Sequence, residues 1–570
     1  MPSSHTPLSV AEQDSVFRPR HVAGTTVGRL AEELQATGHE PLLTPVGRRE
    51  HETLLTGAAM NPHAVGEGDL FVAVSGARAH GADFIRQAVE AGATAVLTDA
   101  VGADKVREQV GYRLPVLQVE DVRQAAGPAA AVIYGNTQDS GPSLFGVTGT
   151  NGKTTTTYFL RSLLDTLHGR RGRRTGLIGT IEIGAGQETI PSQLTTPEAV
   201  QLHSLMALFR ERDVAAAAME VSSHAISYRR TAGLHYDVAG FTNLTQDHLD
   251  LHGSMEEYFA TKAELFTRRR TRTSVITVDD PWGHQMASVA TGRVVTLATA
   301  GQAAEVDWEV VDVVPDGMGH RFTLHHARSG ARIRTRTGLP GLFNVSNAAL
   351  AAVMVLEAPD VPFTREEVVD ALESDPFTIS VPGRMQVICE SPAAIVDFAH
   401  NPDAMIRTLD AVAATKGEGR IILVIGAAGD RDRSKRPTMG AIAVRMADHV
   451  IVSDDDPHGE DPAQIRDDVM AGAREAVESG GLTTVLEEIW PRAEAIERAV
   501  ASASPRDTVI LAGRGHEIHQ DFDGDHRPID DRVELREALL RHGHRPLEIQ
   551  DSTVQDSTPS GRAHAPDDAG

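Results

Sequence analysis

Short apolar, β-branched runs alternate along the chain with stretches whose apolar residues recur every three or four positions, and this alternation predicts α/β architecture. "LFVAVSG" (70–76) reads as a strand, and "GADFIRQAVEAGA" (81–93) as a helix with Phe84, Ile85, Ala88 and Val89 on one face. "TAVLTD" (94–99) follows as a second strand. A second block opens with the strand "SLFGV" (143–147), a glycine-rich stretch and a helix placing Leu160, Leu163, Leu164 and Leu167 on one side. A third block contains "IILVIG" (421–426), "HVIVSD" (449–454) and "TVILAG" (508–513), each ending in turn or polar residues. Such runs suit parallel strands buried on both faces, with ligands at their carboxyl ends. "SVPGRM" (380–385) predicts a hinge between the second and third blocks. Residues 1–25 and 547–570 are polar and aperiodic and read as disordered tails. The blocks are therefore 26–142, 143–380 and 381–546.

A chain of 570 residues is too long for one core, in keeping with several domains. No apolar stretch is long enough for a membrane span, and the N-terminus lacks the basic start and apolar core of a signal peptide. Cys389 is the single cysteine, which excludes a disulfide framework or a thiolate metal cluster, so the cytoplasm is the expected location. A net charge of −25 argues against nucleic-acid binding. In so acidic a protein, an anion site needs locally placed cations and backbone donors.

"GVTGTNGKTTT" (146–156) has that form. Strand, glycine-rich turn and helix follow in the order a phosphate loop requires. Gly149 and Gly152 let the amides of Gly149, Thr150, Asn151 and Gly152 turn towards an anion, with Thr155 next in the helix. Lys153 can reach the β/γ-phosphates of ATP, and the Thr154 hydroxyl can sit on Mg²⁺. Val147 stands where the common motif has glycine, so the loop is a variant. Glu220 ends the apolar run "AAAAMEV", where a carboxylate facing a phosphate loop is placed to ligate Mg²⁺; capping a loop is the alternative. "QDHLDLH" brings Asp247, His248, Asp250 and His252 together, a pattern that suits a transition metal or a purely structural loop. Lys262, on the following helix, has the spacing of an ordinary solvated cation.

Taken in order, "GTNGKTT", "MEVSSH", "NLTQDHLDLHG…YFATKAELF", "GLFNVSN", "VPGRM", "VDFAHNPDA", "GAAGDRDRSKRP" and "AGRGHE" resemble the Mur ligase family over about residues 26–545. The resemblance is nearest to the MurE type, ATP-dependent amide ligases that add the third residue of the peptidoglycan stem peptide. It implies a three-domain architecture: a UDP-sugar-binding domain, a central P-loop ATPase and a C-terminal Rossmann-like domain that binds the incoming amino acid. It also implies ATP and Mg²⁺, a monomer, and the substrates UDP-MurNAc-L-Ala-D-Glu and an amino acid. Lys262 would be carbamylated and would hold Mg²⁺ together with Thr154, Glu220 and His248. Asn344 and Asn347 would face adenine, and Arg384 and Asp397 would reach over the phosphates and ribose. Thr195, Thr196, Ser222 and Arg230 would contact the sugar-peptide. Arg436, Gly513 and Glu517 would contact the amino acid, Arg436 at its α-carboxylate.

Two departures matter. Family members that add meso-diaminopimelate carry Asp-Asn-Pro-Arg, whereas this chain has Asp455, Asp456, Pro457 and His458. Without the guanidinium fork, an acidic pocket including these residues and Glu460 favours L-lysine, with L-ornithine and then meso-diaminopimelate as alternatives. The family's Asp-Ser-Arg before "GDLF" is replaced by Asn61, Pro62 and His63. Pro62 offers neither hydroxyl nor N–H, so UDP binding is expected to be rearranged, weakened, or shifted onto backbone groups and His80. Rival readings are folylpolyglutamate synthase, which lacks a UDP-sugar domain before the ATP loop, a catalytically silent paralogue, and a P-loop kinase.

Overall fold

A computed structural model describes residues 18–548 apart from 45–46, 77, 137–140, 187, 301–304 and 415–416. Each sequence block contains one principal sheet. The first has parallel strands Gly57–Ala59, Asp69–Ala73, Ala93–Thr98 and Val116–Gln118, with Leu42–Thr44 antiparallel at the edge. Between Asp69–Ala73 and Ala93–Thr98, a 3-10 turn, Gly81–Phe84, precedes the helix Ile85–Ala91. The turn shifts the helical phase, so Ile85 and Ala88 are buried while Phe84, expected on the same face, is exposed.

The middle sheet has eleven strands. At its centre Ser143–Thr148 lies parallel between Val214–Glu220 and Tyr236–Phe241, with Arg174–Ile178 beyond Val214–Glu220. These strands are almost wholly buried because helices cover both faces, which explains their unbroken apolar runs. The helix Lys153–Gly169 packs Leu160, Leu163, Leu164 and Leu167 into the core on one face. The opposite face is covered by residues such as Leu202, Leu205 and Phe209. Parallel register places the ends of the three central strands side by side, with Glu220 opposite Val147 and Phe241 opposite Thr148. The loops that follow them carry the glycine motif, "SSH" and "NLTQDH".

The third sheet has parallel strands Ala393–Asp397, Thr508–Ala512, Ile421–Ile425, His449–Val452 and Val485–Glu488, with Gln386–Glu390 antiparallel at the edge. Its carboxyl ends carry Asp397, Gly513 and the 453–458 loop.

Both proposed tails need correction at their inner ends. Thr25–Thr26 pairs with Leu54–Leu55, and Arg18 and Arg20 bond to Asp69 and Glu211. Leu547 donates its N–H to the Ile388 carbonyl at 2.8 Å. Residues 1–17 and 549–570 lie outside the described residues. Among the described residues, no helix is long and apolar enough to cross a membrane.

Candidate active site

The glycine motif forms a tight loop between strand and helix. Gly149 and Gly152 have φ of 147° and 92°, values that side chains resist, and each is also closely packed. A Cβ at Gly149 would lie 1.9 Å from Thr242 Oγ1, and one at Gly152 would lie 2.3 Å from Asn347 Oδ1. Val147 belongs to the buried strand, so the turn begins only at Gly149. Thr150 and Asn151 are fastened to the neighbouring 242–245 loop: Thr150 N–H donates to Asn243 O at 2.9 Å, and Asn151 N–H to Asn243 Oδ1 at 3.1 Å. Thr155 is buried in the first turn of the helix. Lys153 Nζ donates to the Gly149 and Thr150 carbonyls, both at 2.9 Å.

Glu220 joins this loop to the next strand. Its carboxylate is buried and accepts from Thr154 Oγ1 at 3.0 Å, Thr180 N at 2.7 Å and Thr180 Oγ1 at 3.0 Å. Gly179 makes room, since a Cβ there would stand 2.6 Å from Glu220 Oε1. Thr180 is a site residue the motifs did not reveal. Lys262 is not the solvated cation its spacing suggests. It is buried, donates to Gly149 O at 2.9 Å, and lies 4.5 Å above the Tyr258 ring. Burial, aided by the nearby charge of Lys153, holds its amine well below the ordinary lysine range. His248 has a left-handed backbone, φ 53°, and its ring stacks edge-on against His224 at 4.8 Å. Burial lowers its pKa, favouring the neutral imidazole that ligates metals. His252 packs beside Tyr258 at 4.9 Å, and Asp247 lies 3.8 Å from His248.

The residues expected at the sugar-peptide cluster beside Glu220. The Thr195 and Thr180 hydroxyl oxygens lie 3.1 Å apart, and Thr196 Oγ1 donates to Glu220 O at 2.8 Å. Ser222 N–H donates to Thr196 Oγ1 at 3.1 Å, while Arg230 donates to Thr196 O at 3.2 Å and pairs with Glu198 at 2.9 Å. His80 does not join them. Its Nδ1 accepts from Ala82 N and its Nε2 faces Asp99 at 3.1 Å, so both ring nitrogens serve a turn of the first domain.

From the third domain, Arg384 reaches the phosphate loop, donating to Thr154 Oγ1 at 3.4 Å and stacking over Phe398 at 4.1 Å. Asp397 faces inwards: Oδ2 accepts from Met385 N at 2.7 Å and Oδ1 from Thr408 Oγ1 at 2.9 Å. It orients the segment bearing Arg384, where contact with ribose was expected. Asn344 and Asn347 are buried and bonded to one another at 3.1 Å, with Asn347 against Gly152. They brace the loop from beneath.

A cavity of about 1000 Å³ lies between the middle-domain hairpin Glu182–Ala185/Glu188–Pro191 and the third domain. Asp456, His458, Glu517 and Asp521 line it. Carboxylate oxygens of Asp455, Asp456 and Glu517 lie within 4.8 Å of one another. Arg514, fully buried, stands among them at 3.7, 2.9 and 3.8 Å respectively. It was present in "AGRGHE" but not singled out, because nothing local shows which carboxylates surround it. Gly513 permits the approach, since a Cβ there would lie 2.4 Å from Asp455 Oδ2. His458 Nδ1 faces Asp521 Oδ2 at 3.0 Å. Arg436 departs from the expectation: it is fully buried and engaged by Glu460 at 2.9 Å and Asp468 at 3.0 Å. Those two carboxylates satisfy the charge meant for the amino acid, and they withdraw Glu460 from the acidic pocket.

Burial, then the charges of Asp455 and Asp456, raises Glu517 well above the ordinary carboxyl range. Its negative form therefore gains weight as pH rises. The KM for an amine substrate with a distal ammonium is expected to fall across that titration, and Glu517→Gln to flatten the fall. Parallel KM profiles in the two proteins would remove Glu517 from amine recognition.

Family models match three stretches of the chain: "Mur ligase family, catalytic domain" at residues 55–134, "Mur ligase middle domain" at 147–355, and "Mur ligase, glutamate ligase domain" at 383–515. A UDP-N-acetylmuramoyl-L-alanyl-D-glutamate–2,6-diaminopimelate ligase of Streptomyces avermitilis is 42% identical over 527 residues, 92% of this chain and 98% of the relative. A UDP-N-acetylmuramyl-tripeptide synthetase of Leifsonia xyli subsp. xyli is also 42% identical, over 86% of this chain and 92% of the relative. A solved UDP-N-acetylmuramoyl-L-alanyl-D-glutamate–2,6-diaminopimelate ligase superposes with a TM-score of 0.61 at 28% identity, covering 92% of this chain and all of that one. Three matched domains in order, and relatives aligned over nearly their whole length, establish that this chain belongs to the Mur ligase family.

Proposed function

We propose that this protein is a cytoplasmic, monomeric ATP-dependent amide ligase that adds L-lysine to UDP-MurNAc-L-Ala-D-Glu, L-ornithine and meso-diaminopimelate being the alternatives. The observation that carries the ligase reading is the junction at Glu220, which hydrogen-bonds Thr154 of the phosphate loop and Thr196 of the sugar-peptide cluster, while Lys262 bonds to the same loop at Gly149. ATP would transfer its γ-phosphate to the side-chain carboxylate of D-glutamate. A carboxylate oxygen bonds to phosphorus and ADP departs. The free amine then attacks the acyl carbon, the amide forms, and phosphate leaves as the amine loses a proton.

The residues at this junction suit that chemistry. Lys153 would leave the loop carbonyls for the phosphates, and Arg384 would add a second cation from the closing domain. Thr195, Thr196, Ser222 and Arg230 would orient the sugar-peptide. Thr154, Glu220, neutral His248 and a carbamylated Lys262 would hold Mg²⁺, which when bound would supply charge neutralisation at the phosphates. A depressed amine pKa supports carbamylation: neutral Nζ attacks CO₂, an N–C bond forms and one proton is released.

L-Lysine is favoured by the cavity. Asp456, Glu517 and Asp521 line it, Arg514 is occupied by carboxylates, and His458 is turned to Asp521. A distal ammonium gains there, whereas the distal carboxylate of diaminopimelate meets like charge. The relatives named for 2,6-diaminopimelate make that amine the necessary competitor. The test is phosphate release with Mg-ATP, UDP-MurNAc-L-Ala-D-Glu and each of the three amines. Lysine is expected to exceed diaminopimelate in kcat/KM by at least about tenfold, the discrimination of one misplaced charge. Preference for diaminopimelate would overturn the amine assignment alone. Phosphate release that needs no amine would overturn the ligase itself.

A further inference from the structure

A second cavity, of about 320 Å³, opens between the first and middle domains, walled by Arg18, Asn61 and Tyr134 on one side and Leu194 and Gln201 on the other. Arg18 precedes the first strand of the fold, in a stretch whose composition reads as tail. Its Nη2 donates to Ala64 O at 3.2 Å and pairs with Asp69, which is fully buried. Asp69 Oδ2 also accepts from Gly66 N at 2.8 Å. The guanidinium rests on bare backbone, for a Cβ at Gly66 would lie 2.5 Å from Nη1. Arg18 thus holds both ends of the 64–69 turn, next to the loop in which Asn61 and Pro62 replace the expected motif. Two residues on, Arg20 N–H donates to Glu211 Oε2 of the middle domain at 2.8 Å. The segment is tied to both domains that flank the cavity.

We propose that Arg18 is a positioning residue for the uridine end of the nucleotide sugar, holding the loop that forms one wall of its pocket. The proposal rests on the nucleotide-sugar substrate of the preceding section. Three observations carry it. Pro62 lacks an N–H, and Asn61 Oδ1 already accepts from His63 N at 3.0 Å. His80 is committed to Asp99 and Ala82. The cavity has the size and the mainly apolar lining of a small-molecule site, with a cation at its edge.

The test compares wild type with Arg18→Lys, Arg18→Met and the double variant Arg18→Met/Asp69→Asn, which removes the buried charge of Asp69 together with its partner and so avoids stranding it. Binding of UDP alone is measured by calorimetry, together with KM and kcat for the nucleotide sugar and KM for ATP. The double variant is expected to remain folded, to bind UDP about tenfold more weakly and to raise the nucleotide-sugar KM similarly, with kcat and the ATP KM unchanged. Lysine at position 18 should recover part of the loss. UDP affinity equal to wild type in a folded double variant would overturn the proposal. If that variant does not fold, unchanged UDP affinity in Arg18→Lys does the same. Wild-type protein that binds no UDP also overturns it. Wild-type protein that binds UDP but forms no tripeptide would instead sink the ligase assignment, leaving the role of Arg18 to the binding data.

Discussion

Replacing Lys262 with alanine is expected to lower kcat by about 10²- to 10³-fold, the scale of losing one preorganised charged group in a reaction centre. The side chain is buried, points at the carbonyl of Gly149, and shares that acceptor with Lys153. As two ammonium groups the lysines repel, and burial adds to the cost, since both donate to the one oxygen of Gly149. As carbamate and ammonium they would attract. The change from amine to carbamate thus reverses the sign of the local charge, and alanine forfeits that reversal. Removing bicarbonate should slow the wild-type enzyme and leave the alanine variant unaffected. Formate or acetate, which can occupy the emptied volume as anions, should restore part of its rate. Lys262→Arg keeps a cation that does not carbamylate and should remain slow. A bicarbonate-independent wild-type rate would overturn the carbamate, and full activity of the alanine variant would remove Lys262 from the site.

How far the sequence could be read follows from the distance over which each feature is decided. The phosphate loop was legible because strand, glycines and helix are consecutive, and the positive φ of the turn itself demands the glycines. Glu220 was legible as the polar end of an apolar run. Its partner Thr180 was not, because the pairing of Val214–Glu220 with Arg174–Ile178 is set by strand order, which periodicity does not reveal. The same limit governs the arginines. Arg436 looked free for a substrate until folding brought Glu460 and Asp468 to it, and Arg514 looked unremarked until three carboxylates closed around it. Arg18 was hidden by its polar neighbours, since Asp69 lies 51 positions away and is itself buried by other elements. His80 misled in the opposite direction: an apparently available imidazole proved to be the capping group of its own turn.

Glu220→Gln is expected to cost about 10³-fold in kcat/KM with little change in melting temperature, a separation that follows from its hydrogen bonds. The carboxylate accepts from the Thr154 hydroxyl and from both the N–H and hydroxyl of Thr180. Glutamine keeps the volume and one accepting oxygen. The hydroxyls of Thr154 and Thr180 can rotate to accept from its NH₂, whereas the Thr180 N–H needs the retained oxygen. Folding stability then falls by only about 1 kcal/mol, one rearranged hydrogen bond. The charge, by contrast, is lost where the sugar-peptide cluster meets the phosphate loop, and no rotation replaces it. Glu220→Ala should be as inactive and also less stable, because it strands the Thr180 N–H and opens a void beside Gly179. Comparing the two variants by calorimetry and by tripeptide formation separates support of the loop from chemistry at it. A glutamine variant with near-native kcat/KM would make Glu220 a buttress for Thr154 and Thr180, and the metal-binding role would have to pass to other residues.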